Sequence, residues 1–135
     1  MFVPVSFCFI TLRIITNNPK VKDEYSVDYE VIFIDGGYRD VLVKVRDLIH
    51  VGYKLLTHPL MGSLKPNETP YRTVAVSDDA AQADYDSIIL IEDAIITYDK
   101  FACFKRPDRG ENTPERLKED FMLIDFSLIA SALNR

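Results

Sequence analysis

Residues 11–34, TLRIITNNPKVKDEYSVDYEVIFI, have the pattern of a strand, a helix and a second strand, and this unit decides the fold class. The alternating run from Thr11 to Thr16 is rich in branched side chains and predicts the first strand. Asn18 followed by Pro19 is typical of a helix start, with an amide cap and a proline in the first turn. The near-continuous apolar run from Glu30 to Ile34 predicts a second strand that is covered on both faces.

The same alternation of strands and helices continues along the chain. Apolar residues at three- and four-residue spacing predict a helix from Tyr38 to Val51. YKLLT (residues 53–57) and RTVAVS (Arg72–Ser77) predict a third and a fourth strand. The segment Ser87–Phe104 begins with SIILI, which would fit a buried strand, but its helical spacing continues over several turns and favours a helix. A last helix with a broad apolar face is predicted to begin at Thr113.

This order of elements predicts a three-layer α/β fold that is Rossmann-like, with a mostly parallel four-stranded sheet flanked by helices. The direction of the fourth strand stays open. We expect the last two helices to pack together or to form a homodimer interface, because so broad an apolar face needs more than a sheet to cover it. Residues 11–135 are predicted to form a single domain, and the apolar residues 1–10 an N-terminal extension, either an extra edge strand or an overlong start.

Composition limits the classes of function. Charged residues are 27% of the chain and apolar residues 47%, as in soluble globular domains. The net charge of −5 argues against a protein held on nucleic acid or anionic lipid by a positive field. No run approaches the roughly 20 apolar residues of a membrane helix. Cys8 and Cys103 lack the close spacing of a metal or redox pair and favour a reduced, cytoplasmic setting. We expect no metal and no cofactor.

The connection from His58 to Tyr71, HPLMGSLKPNETPY, is the strongest candidate for a site. Long loops in small domains are usually functional or disordered, and three prolines argue against disorder because each restricts the backbone. Such a loop can hold polar groups in position before a ligand binds. Alternatively, its polar residues only hydrogen-bond the loop's own backbone as turn and cap residues. The candidate ligand-binding residues of the loop are His58, Ser63, Lys65, Asn67, Glu68, Thr69 and Tyr71.

Three further candidates follow the first two predicted strands, and parallel α/β sheets bind ligands beyond such strand ends. Asn17 and Asn18 precede a helix start that could hold an anion, although plain helix capping explains them as well. Asp35 precedes two glycines that could let a ligand approach the backbone, or that only form a tight turn. No nucleophile elbow and no H-E-x-x-H pattern is present, so catalytic residues stay unassigned.

The stretches ITNNP and VRDLIHVGYKLLTHPLMGSLKPNETPYRTVAVS resemble the GrdX family, most densely from Val45 to Ser77. Members of this family are small bacterial proteins encoded with the selenium-dependent glycine, sarcosine and betaine reductases of amino-acid-fermenting anaerobes. The resemblance implies an accessory protein in a reduced cytoplasm, with reductase components as partners, rather than a catalytic component. The seven loop candidates match the signature loop of the family by position, but the family assigns them no role.

Two functions are open from the sequence, and a merely structural role in assembly is a third possibility. The first is a binding or regulatory module whose loop, residues 58–71, recognises a small anionic metabolite or a partner protein of the reductase system. The second is a small hydrolase or transferase in which His58 acts as general base and Lys65 stabilises developing negative charge. The second function lacks a marked nucleophile beyond Ser63.

Overall fold

The computed structural model describes residues 12–62 and 65–133, so the predicted extension at residues 1–10 lies outside the described part of the chain. The strands are β1 (Leu12–Thr16), β2 (Glu30–Phe33) and β3 (Thr73–Ser77). The helices are α1 (Pro19–Tyr25), α2 (Tyr38–Val51), α3 (Tyr85–Ala102) and α4 (Glu115–Leu133), with a short 3-10 turn at Gly110–Asn112. None of these helices is both long and apolar enough to cross a membrane.

The sheet of the described residues is mixed and has three strands in the order β2–β1–β3. β1 and β2 are parallel, with Ile14 opposite Val31, as expected for a strand–helix–strand unit. β3 is antiparallel to β1, with Ile14 opposite Ala75. The prediction of a mostly parallel, four-stranded, Rossmann-like sheet was therefore wrong.

The segment predicted as the third strand forms one isolated antiparallel bridge, between Leu55 and Val76. The carbonyl oxygen of Ala75 accepts a hydrogen bond from Leu56 N at 2.9 Å. The amide of Ala75 donates to the side-chain Oγ1 of Thr57 at 3.0 Å, so a hydroxyl takes the place of a strand carbonyl and regular pairing ends there. The described residues between this segment and β3 contain no helix, so they do not form the crossover that a parallel strand would need.

Helices cover both faces of the sheet and divide the core into two parts. On one face, Ile15 packs with apolar residues of α2 and α3. On the other face, Ile14 packs with Val21 of α1 and Ile129 of α4. All four of these side chains are fully buried. Adjacent residues of the central strand thus belong to different halves of the core, as the alternation of a strand requires.

The last two helices lie on opposite faces of the sheet, so the expectation that they pack together was wrong. α3 packs against α2, and α4 packs against α1 and β3. α3 leaves Tyr85, Ile89 and Ile96 largely exposed, and α4 leaves Leu123 exposed. The homodimer expected from these helices stays a prediction.

Candidate functional site

A cleft of about 630 Å³ opens at the edge of the sheet where β1 and β2 end and β3 begins. The turn after β1 contributes Asn17, the turn after β2 contributes Asp35–Gly37, and the loop before β3 contributes Thr69–Tyr71. Tyr98 of α3 and Lys118 of α4 complete the wall. The cleft therefore lies beyond the carboxyl ends of the two parallel strands, the position where α/β sheets bind ligands.

Asn17 joins the segments that form the cleft. Its side chain is nearly buried, and Nδ2 donates to the carbonyl oxygens of Gly36 at 3.1 Å and Pro70 at 2.8 Å. Its Oδ1 accepts from the amide of Arg72 at 2.9 Å. The Asn17 side chain thus makes three hydrogen bonds to backbone atoms, and it mainly holds the turn after β2 and the loop before β3 in place on either side of the cleft.

Asn18 is a helix cap, which is one of the two alternatives left open by the sequence. Its Oδ1 accepts from Lys20 N at 3.0 Å at the start of α1. Its Nδ2 donates to the carbonyl oxygen of Met122 at 2.9 Å and to Asp125 Oδ2 at 3.0 Å. The side chain is fully buried and is not among the residues that line the cleft.

A buried ion pair that the sequence analysis missed joins β3 to α4. Arg72 Nη2 lies 3.3 Å from Asp125 Oδ1, and both side chains are at most 4% exposed. Asp125 Oδ2 also accepts from Thr73 Oγ1 at 2.6 Å, while Arg72 Nη1 donates to the carbonyl oxygen of Met61 at 2.8 Å. The available signal was an aspartate inside the apolar stripe of the last helix, which requires a buried partner.

Tyr38 connects this ion pair to the cleft. Its hydroxyl accepts from Arg72 Nη1 at 3.4 Å, and its ring stacks on Tyr98 with 5.2 Å between the centroids. Burial raises the pKa of Tyr38, although the guanidinium of Arg72 acts in the opposite direction. The hydroxyl is therefore neutral at physiological pH, and the wall of the cleft next to the ion pair carries no charge.

The charged side chains around the cleft are of both signs. Asp35 is exposed and has no ion-pair partner among the described residues. Arg39 is bound to Asp99 through two hydrogen bonds of 2.8 and 3.1 Å, and this pairing lowers the pKa of Asp99. Lys118 Nζ lies 3.5 Å from the exposed carboxylate of Glu115. Two further carboxylates at the rim are those of Asp40 and Glu111.

Among the loop candidates, Thr69 and Tyr71 line the cleft. Thr69 is buried, and its Oγ1 accepts from Tyr71 N at 3.2 Å. Partial burial raises the pKa of Tyr71, while the nearby Lys118 acts in the opposite direction. The Tyr71 hydroxyl is therefore a neutral hydrogen-bonding group.

The other loop candidates lie elsewhere. His58 is exposed, and its Nδ1 accepts from Leu60 N at 3.1 Å within the loop. Glu68 accepts from Lys65 N at 3.0 Å and pairs with Arg106 at 3.2 Å. These contacts match the alternative in which polar loop residues organise their own backbone. Ser63 lies outside the described residues.

Asn67 belongs to a second, smaller cavity of about 220 Å³, between the loop and the segment that joins α3 to α4. Its Nδ2 donates to the carbonyl oxygen of Phe104 at 2.9 Å. Tyr98 and Glu111 line both cavities, which are therefore neighbours. Within residues 12–62 and 65–133, no group of three or more histidine, cysteine, aspartate or glutamate side chains is arranged to hold a metal ion.

Comparison with known proteins gives one result. A family model described as GrdX-like protein matches residues 13–134, which include the described sheet except Leu12, the four helices and both cavities. No curated protein and no solved structure matches the chain. Because the model covers nearly the whole length of the chain, the protein belongs to the family of GrdX-like proteins.

Proposed function

We propose that this GrdX-like protein is an accessory binding protein of a glycine, sarcosine or betaine reductase system, and that the cleft holds its small-molecule ligand. The observation that carries this proposal is the convergence of Asn17, Asp35, Thr69 and Tyr71 from three separate segments on one cleft of about 630 Å³. A cleft of that size is within the range of small-molecule sites. Family membership supports the association with the reductase system.

The charges of the cleft favour a zwitterion over the purely anionic metabolite expected from the loop. Asp35 would bind an ammonium group, and the aromatic rings of Tyr71 and Tyr98 are favourable surfaces for a cation. Lys118, which is held only by an exposed carboxylate, would turn to the carboxylate of the ligand at little cost. Glycine, sarcosine and betaine, after which the reductases are named, each carry one positive and one negative charge.

Isothermal titration with glycine, sarcosine and betaine tests this proposal. We expect at least one of them to bind, and Asp35→Asn to weaken it by about tenfold or more, because the variant removes the negative charge that attracts the cationic nitrogen of the ligand. Asp47→Asn is the matched control, since Asp47 is an exposed aspartate of α2 that does not line the cleft. Absence of binding by all three compounds, or an equal loss in both variants, would overturn the proposal.

The alternative of a hydrolase or transferase gains no support from the described residues. His58, the proposed general base, is not among the residues that line the cleft. Its Nδ1 is already used as an acceptor for the amide of Leu60, and Glu68 is paired with Arg106. We therefore propose a binding protein and assign no catalytic residue.

A further inference from the structure

We propose that the outer face of α3 is the contact surface of a two-fold symmetric homodimer, in which it packs antiparallel against the same face of a second copy. This outer face is a stripe of exposed side chains opposite the buried side of the helix, and it consists of Tyr85, Ile89, Asp93, Ile96 and Lys100. These residues recur at intervals of three and four positions, which places them along one side of a helix.

The stripe exposes three large apolar side chains. Tyr85 is 78% exposed, Ile89 58% and Ile96 55%. Single exposed apolar residues are common at protein surfaces, whereas several on one side of one helix form a patch that is typical of an interaction site. α3 packs against α2 through its other side. The stripe is therefore available to a second molecule.

The two charged residues of the stripe indicate which molecule covers it. Asp93 stands three positions before Ile96, and Lys100 stands four positions after it. Both are exposed, and neither has an ion-pair partner among the described residues. By contrast, Glu92 and Asp99 of the same helix are paired with side chains of α2. The stripe thus carries a free negative charge on one side of Ile96 and a free positive charge at nearly the same distance on the other side.

A stripe with this order of charges is complementary to itself. A two-fold axis that passes beside Ile96, perpendicular to α3, places Asp93 of each copy opposite Lys100 of the other and brings the two Ile96 side chains together. Parallel packing would instead place Asp93 opposite Asp93 and Lys100 opposite Lys100. An antiparallel pair centred on Asp93 would also bring two carboxylates together. Because like charges across an interface repel, the charges select a second copy in one direction and one register.

Apolar burial provides the attraction in this dimer, and the charges provide its register. The two Ile96 side chains bury each other at the axis, and removal of apolar surface from water is the main favourable term in association. Ile89 then lies opposite the end of the second α3, next to which Phe104 is 71% exposed. Ion pairs at the rim of an interface mainly fix its orientation. One pair of helices is a small interface, so we expect a dissociation constant on the order of 10 μM.

The dimer leaves the cleft open. Tyr98 of α3 lies on the side of the helix opposite the stripe, where its ring stacks on Tyr38 and lines the cleft. Dimer formation therefore does not depend on the ligand proposed for the cleft, and the test of one proposal does not decide the other.

Sedimentation velocity of the full chain, at concentrations up to about 200 μM, tests the proposal. We expect a reversible dimer, and Asp93→Lys or Lys100→Asp alone to weaken it by about tenfold or more, because each replaces both ion pairs by like charges. The two variants mixed in equal amounts should dimerise again, since the two lysines of one then face the two aspartates of the other. Asp120→Lys is the matched control, because Asp120 is an exposed aspartate of α4 on the other face of the sheet.

A chain that stays monomeric at the highest concentration would overturn the proposal and leave the stripe to a different partner. Equal effects of Asp93→Lys and Asp120→Lys, or a mixture of the charge variants that does not dimerise, would overturn it as well. Should circular dichroism show that a charge variant is unfolded, a second pair decides the question. Ile96→Glu places two carboxylates at the axis and should abolish the dimer, whereas Leu123→Glu, at a side chain of α4 that is 52% exposed, should leave it intact. The same result for both glutamate variants would contradict the dimer.

Discussion

Asp125 accepts hydrogen bonds from three side chains, those of Asn18, Arg72 and Thr73, and so ties α4 to β3 and to the start of α1. Asp125→Ala would leave the guanidinium of Arg72 buried without its counter-charge. Removing one partner of a buried ion pair costs about 3–5 kcal/mol, and we expect a loss of that size in the free energy of unfolding. Urea denaturation followed by circular dichroism measures it.

Asp99→Ala is the control for this prediction. Asp99 also pairs with an arginine, at 2.8 Å from Arg39 Nε, but its side chain is 50% exposed. Exposed pairs contribute about 1 kcal/mol or less, so this variant should be only slightly destabilised. A cost of Asp125→Ala no larger than that of Asp99→Ala would show that the buried pair does not stabilise the fold.

The roles of single residues were predictable where the local backbone decides them. Asn18 could be read as a cap because Pro19 follows it, and Asp35 as a cleft residue because it follows a strand. The position of Asp125 inside the apolar stripe of α4 marks it as buried, but its partner could not be assigned, because Arg72 lies 53 positions earlier. His58 was a plausible site residue in the sequence, while in the structure its Nδ1 accepts a hydrogen bond from the amide of Leu60 within the loop.

At the scale of elements, the end of α2 depends on Gly52. This glycine has φ +123, and a side-chain carbon there would lie 2.2 Å from the carbonyl oxygen of Ala81. Gly52→Ala therefore combines a strained backbone with a clash against another backbone segment. We expect it to lower the free energy of unfolding by about 2 kcal/mol or more, measured by chemical denaturation and by the melting temperature.

Gly37→Ala tests whether the position of the glycine matters. Gly37 precedes α2 in an extended conformation, with φ −91, and a side-chain carbon there would come no closer than 3.9 Å to the nearest atom, Asp40 Oδ2. This substitution should change the stability by less than about 1 kcal/mol. Similar losses of stability in Gly52→Ala and Gly37→Ala would contradict the role of Gly52 at the end of α2.

The helices were more predictable than the sheet because helix signals are local. The apolar stripe from Tyr38 to Val51 and Gly52 after it predicted α2 with its observed bounds. Strand pairing depends on segments that are distant in sequence. Residues 53–57 have the composition of a strand, yet only Leu55 forms a bridge, because the Oγ1 of Thr57 accepts the hydrogen bond from the amide of Ala75 in place of a strand carbonyl. The described part of the connection between residues 53–57 and β3 has no helix, and this favours an antiparallel β3. The composition of a strand does not reveal the direction in which it pairs.

In the molecule as a whole, one small sheet supports two cores. Ile14 and Ile15 are adjacent in β1 and fully buried on opposite faces, under different pairs of helices. Loss of α4 would expose the Ile14 face and separate Asp125 from Arg72, which anchors the start of β3. Neither half of the core can therefore persist without the other, and we expect unfolding to be a single cooperative transition.

Hydrogen exchange of Ile129→Ala tests this coupling between the two faces. Ile129 of α4 is fully buried, and its truncation should cost about 2–5 kcal/mol. If the molecule unfolds as one unit, the free energy of exchange for the most protected amides of α2, on the opposite face, should fall by the same amount as that for α4. Leu123→Ala, at a side chain that is 52% exposed, should change neither helix by more than about 1 kcal/mol. Loss of protection confined to α4 would show that the two cores unfold separately, because the shared strand β1 would then remain folded under α2 and α3 alone.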